Sequence, residues 1–270
     1  MPPPVPYCGA APLPGGAGWN LDPALVAVLL VGLALAWGPA GRGGERRALL
    51  AGWVVLAAAL ISPLCQLSVA LFSARVGQHL LVLLGAAPLL AVGLRLPRAA
   101  AAPGSLAAGA ACFALVLWVW HLPGPYAATF RSGAVYWAMH ASLLAAAVWL
   151  WHGLLVGAAA RPEAALFAGL ATAAQTGALG AFLTFAPRPL FSPHALTTLP
   201  WGFTQLEDQQ LGGLLMWVPG GIAFAAVSLA ALAAALRPSP QAIPRSDVAE
   251  VGRNDVSPMR QGAAAVRPHA

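Results

Sequence analysis

Apolar runs long enough to cross a bilayer occupy most of this chain, and no other feature narrows its fold so far. A helix rises about 1.5 Å per residue, so about 20 residues cross a hydrocarbon core. Seven stretches reach or approach that length, near 22–39, 48–65, 77–96, 105–122, 134–158, 163–186 and 209–236. The segments between them, such as GPAGRGGERR, RLPRAAAAPGS and HLPGPYAATFRSG, carry the Gly and Pro that end helices. Only 8% of the 270 residues are charged and 59% are hydrophobic, whereas a soluble domain carries about 25% charge. A mean hydropathy of +0.75 leaves the chain unable to cover itself in water. The expectation is an all-α, polytopic membrane protein with seven transmembrane helices. Residues 22–236 form the membrane domain, after an extracytoplasmic tail at 1–21 and before a disordered basic cytoplasmic tail at 237–270.

The net charge of +6 is carried by arginine alone, since the chain has no lysine. Eleven arginines (42, 46, 47, 95, 98, 161, 237, 245, 253, 260, 267) fall on one side of the expected spans, and Arg75, Arg131 and Arg188 fall on the other. By the positive-inside rule this puts the N-terminus outside and the C-terminus in the cytoplasm. No nucleic-acid module is present, so the basic balance is read as orienting the chain in the lipid bilayer. The N-terminal segment lacks a basic region ahead of its apolar run and reads as an extended tail rather than a cleaved signal peptide. Cys8, Cys65 and Cys112 form no CxxC pair and read as inert, with Cys8 in a loose tail.

This topology collects polar side chains on the outer side. His79 opens the third span, His121 closes the fourth, and His140 lies about two turns into the fifth. Ionisable groups inside spans are costly and usually face a shared polar interior, so the three read as a cluster. His152 lies about 18 Å farther along its helix, flanked by Trp149 and Trp151, and reads as interfacial. The seventh span begins LEDQQLGGLLMWVPGG, in which Asp208, Gly212, Met216 and Pro219 share one helical face. Pro219 denies the Leu215 carbonyl its helical partner, and the glycines let another helix approach. Imidazole and thioether suit copper, the thioether favouring the cuprous state. From these residues alone the span reads first as helix packing around a kink, with Met216 as filler, and a small-cation site as the alternative. The loop 187–208, rich in Pro and aromatics, is expected to cap the outer face.

The segments QHLLVLLGAAPLL (78–90), WHLPGPY (120–126), TFAPRPLF (184–191) and DQQLGGLLMWVPGG (208–221), with the region around His140, resemble the CtaG-type cytochrome c oxidase assembly proteins of the caa-type oxidases. The resemblance implies a non-enzymatic, seven-span assembly factor of the bacterial inner membrane. It would help deliver copper to the oxidase, with oxidase subunits and a copper chaperone as partners. On that reading His79, His121, His140 and Met216 are the candidate metal ligands, with Met139 a further soft ligand. Asp208 would orient a histidine or attract the cation, and Gln209 and Pro219 would support them. Such proteins typically show an HMxxH-like pattern at the third span and HxxEH in the fifth. Here the equivalent residues are Arg75 to His79 and Tyr136 to His140, so one histidine of each pair is replaced. Two other classes stay open: a haem-binding membrane redox protein with facing axial histidines, and a small-cation or metal transporter. No paired carboxylates, P-loop or HExxH motif supports catalysis.

Overall fold

The computed structural model describes residues 5–38, 43–94, 96, 104–157 and 161–236, and all regular structure among them is helical. Helix α1 (Pro23–Trp37) starts where Asp22 accepts the Ala24 amide and Pro23 supplies a preset φ. Its 15 residues fall short of a bilayer's thickness. Helix α2 (Gly44–Ile61) ends at Ser62, held extended by the ring of Pro63, and α3 (Leu64–Ala70) continues at 47°. Leu71 is again extended, after which α4 (Phe72–Leu80), a π-helical segment (Leu81–Ala86) and α5 (Ala87–Gly93) form one 22-residue rod. Helix α6 (Ser105–Trp120) turns through 70° at His121-Leu122 into α7 (Pro123–Arg131). Helices α8 (Gly133–Leu155), α9 (Pro162–Phe185) and α10 (Gln205–Ala235) are each long enough to span alone.

By length and composition, four helices can cross a membrane, or up to six if each bent pair is one span. That is fewer than the seven expected, and the shortfall has a physical cause. Helix α1 is too short to count, and α2 and α6 qualify only together with the short helices α3 and α7 that follow the bends at Pro63 and Pro123. The tail 237–270 and most of the orienting arginines lie outside the described residues.

Pro88 explains the π segment. In the π register the Leu83 carbonyl would pair with the amide of residue 88, which proline lacks. The indole of Trp151 donates to that carbonyl instead, at 2.8 Å. Helix α10 packs along α9, where Gly180 and Gly213 meet so closely that a Cβ on either would sit 2.7–2.8 Å from the other's carbonyl oxygen. Pro219 is carried inside α10, which continues unbroken for 31 residues. The polar start of α10 is a capping box, in which Thr204 accepts the Glu207 amide and Glu207 accepts the Thr204 amide.

The N-terminal segment is not loose. Cys8 and Cys65 form a disulfide across 57 residues, so the expectation of inert cysteines and a free tail is corrected. Gly18 N donates to Gln66 Oε1 (2.6 Å), Asn20 N to the Ile61 carbonyl (2.8 Å), and Trp201 Nε1 to the Pro12 carbonyl (3.2 Å). Burial pushes the Tyr7 hydroxyl's pKa up, as does its bond to Asp22, and that same bond holds the Asp22 carboxyl below its usual range. The strap thus joins the bundle through backbone, side-chain and covalent ties.

Candidate functional site

The site is built on α4, and α4 is held in place by a residue far away in sequence. Leu71 is extended, so the first amides of α4 have no helical acceptor. Asp208, fully buried on α10, accepts from Phe72 N (2.6 Å), Ser73 N (3.1 Å) and Ser73 Oγ. A carboxylate there also meets the positive end of the helix dipole. Asp208, expected to orient a histidine or attract a cation, caps the helix that carries His79. One turn on, Gly212 lies against the Phe72 ring, where any Cβ would collide. Gln209 accepts the Leu190 amide (2.6 Å) and donates to the Leu183 carbonyl (3.3 Å), tying the 186–204 loop to α9 and α10.

The last turn of α4 presents His79 to His140 of α8, their ring centroids 5.3 Å apart at 67°. His140 Nδ1 donates to the Tyr136 carbonyl one turn back (3.2 Å), so the neutral ring carries its lone pair on Nε2. Both His79 Nε2 and His140 Nε2 are buried without a hydrogen-bond partner. His121, at the end of α6, donates its Nδ1 proton to the Leu117 carbonyl at 2.7 Å. His79, His121 and Met216 line one small cavity of about 30 Å³, closed otherwise by apolar side chains and Thr176.

The structure therefore brings the expected ligands together in two overlapping groups that share His79, one through ring contact with His140 and one around the cavity. No set of three His, Cys, Asp or Glu residues with metal-holding geometry occurs among the described residues. Met139 is fully buried one position from His140, about 100° around the helix. Pro219 neighbours Gly220, which lines the cavity.

Three features lay outside the sequence reading. Arg75, assigned by sequence to an outer connection, is 2% exposed inside the bundle. Its Nη2 donates to Thr129 Oγ1 (2.8 Å), and its guanidinium lies over Phe130 (4.4 Å), Tyr126 (5.0 Å) and Tyr136 (5.8 Å). Tyr136 links the strap to the histidines: its ring lies 4.3 Å from His140 and 5.0 Å from Tyr7, and its hydroxyl is 3.3 Å from Cys8 Sγ. His194 anchors the loop, accepting from the Tyr126 hydroxyl (2.6 Å) and donating to the Ala70 carbonyl (3.3 Å). Burial first, and the Arg75 charge second, push its pKa down to about 3. Two cysteines on one expected face were the available signal for the disulfide; a tyrosine four residues before a histidine was the signal for Tyr136.

Residues 30–238 match the family described as cytochrome c oxidase caa3 assembly factor (Caa3_CtaG). No curated protein and no solved structure matches the chain.

Proposed function

The chain belongs to the cytochrome c oxidase caa3 assembly factor family, and we propose that it serves oxidase maturation by holding a copper ion in transit. His79 and His140 would bind the ion, with His121 and Met216 receiving it across the adjoining cavity. Copper here is cargo, passing from a copper chaperone to oxidase subunits, and no chemical step is required of the protein. One observation carries this reading: two contacting imidazoles deep in the bundle each keep a buried Nε2 without a partner. A buried nitrogen left so costs about 1–3 kcal/mol, a cost that a ligand to that atom removes. Backbone carbonyls on the Nδ1 side of His121 and His140 fix each ring's orientation, as the partners of metal-binding histidines do.

The His79 end is assigned to the outer face of the bacterial inner membrane. The arginine distribution supports this, and so does the Cys8–Cys65 bond, because disulfides persist in oxidising compartments. The haem alternative has little room, since the cavity beside His79 is about 30 Å³, far smaller than a porphyrin.

The test is a copper titration of the purified chain in detergent. Stoichiometric binding is expected, lost in the double variant His79→Ala/His140→Ala while its thermal unfolding stays cooperative. Unchanged binding in that variant removes the assignment. Deleting the gene should lower oxidase activity, with recovery on added copper; no change in oxidase activity would overturn the assembly role.

A further inference from the structure

Arg75 lies one helical turn before His79 on the same face of α4. It is a buried cation among aromatic rings and one threonine, and its Nε has no hydrogen-bond partner. No carboxylate pairs with it among the described residues. Asp208, the buried acid at this end, directs its oxygens to the start of α4. A guanidinium keeps its proton in any protein environment, so Arg75 is a fixed unit charge. Its guanidinium lies 5.8 Å from the Tyr136 ring, which in turn packs 4.3 Å from the His140 ring.

Two consequences follow for a cation arriving at the histidines. Every candidate ligand is neutral, so the ligands cancel none of the ion's charge. Repulsion from Arg75 also doubles when the ion carries two charges instead of one. For two unit charges about 7 Å apart at an effective dielectric of about 20, each added ionic charge weakens binding by about 50-fold. The burial cost of a divalent ion without an anionic partner acts in the same direction.

We propose that Arg75 is a charge filter, which restricts the His79/His140 site to a soft monovalent cation, cuprous or silver, and excludes zinc and cupric ions. The inference rests on the copper reading above and adds to it the selectivity and the residue that sets it. A purely structural Arg75, holding Tyr126, Phe130 and Tyr136 together, would alter stability without altering the ratio of two metal affinities. That ratio is the decisive quantity.

The experiment titrates the purified full chain in detergent with silver(I) and zinc(II), each against a competing chelator. The wild type is compared with Arg75→Gln, Arg75→Met and Arg75→Lys. The wild type is expected to bind silver at least about 50-fold more tightly than zinc. Either neutral variant should narrow that preference by about 50-fold, and Arg75→Lys should keep it within about threefold. Two neutral variants guard against the failure of one to fold, and the wild-type ratio decides on its own if both fail. Zinc binding as tight as silver in the wild type, or a ratio unmoved in the neutral variants, overturns the filter and leaves the copper site standing. Absence of silver binding in the wild type overturns the copper reading and the filter with it.

Discussion

Helix α8 carries two buried histidines twelve residues apart, and the two ends of the bundle use them differently. His152 Nδ1 donates to the Ala91 carbonyl of α5 (3.3 Å), so its polarity is used to join two helices. His140 donates to the Tyr136 carbonyl of its own helix, its ring packs against His79, and its other nitrogen is buried with no partner. The surroundings differ in the same sense. Around His140 lie a disulfide, a buried carboxylate, a buried guanidinium and a folded loop. The His152 end is bordered by two open apolar grooves of about 590 and 690 Å³, one along α6, α8 and α9 and one along α2, α5 and α8. Polar burial is costly in a bilayer, so a protein concentrates it where something must be held. The lesson is that a histidine bonded within its own helix is presented, while one bonded to a neighbour is structural.

The comparison can be broken most severely at the strap. Cys65→Ser should destabilise the protein by about 2–4 kcal/mol and loosen residues 5–22. Thermal unfolding in detergent, with proteolysis of the N-terminal segment, measures both effects. A wild-type unfolding profile in the variant would show that the His79 end does not depend on its covalent tie.

Next in size is the remote cap. Asp208→Asn keeps the shape but removes the charge that the α4 amides and dipole meet, at a cost of about 2 kcal/mol. Hydrogen exchange should rise at the first turn of α4 and leave the His152 end unchanged. Uniform exchange at both ends would erase the contrast.

Acidification tests the loop. The folded pKa of His194 is about 3, below the ordinary value of 6.5, so between those values the unfolded chain binds the extra proton. Stability should therefore fall as pH drops below about 6.5, by about 1.4 kcal/mol per unit, and stop falling near the folded pKa. Above pH 6.5 His194 contributes no pH dependence. His194→Gln should flatten this portion of the curve, and an identical pH profile would assign the acid sensitivity elsewhere.

The smallest effect separates the two histidines most sharply. His152→Ala should cost about 1 kcal/mol of stability with copper binding intact. His140→Ala should cost a comparable amount, through the Tyr136 bond and the ring packing it loses, and should weaken copper binding at least about tenfold. Equal behaviour of the two variants in both measurements would end the distinction.

Much of this could be read from the sequence because it follows from local spacing. The α-helical spans, the gathering of His79, His121 and His140 at one end, and the close approach allowed by Gly212 and Gly213 all depend on residues within a few turns. What could not be read depends on pairs distant in sequence. The Cys8–Cys65 bond and the Asp208 contacts to Phe72 and Ser73 join residues 57 to 136 positions apart, a separation that no local pattern encodes. Pro63 lay inside a run whose hydropathy averages across it, while HLPGPYAATFRSG was legible as a break but not as the start of a further helix, α7, at 70°. Arg75 looked like a loop charge because a lone guanidinium inside a bundle is rare, and only its aromatic surroundings make it tolerable there.

The reach of Asp208 also has a consequence in time. A chain made at about 5–20 residues per second needs on the order of ten seconds to extend from Phe72 to Asp208. Through that interval α4 has no acceptor for its first buried amides, and Met216 has yet to close its side of the cavity. A chain made only as far as His140 therefore holds both histidines before α4 has its cap. The geometry at the His79 end is therefore completed only when α10 has been made.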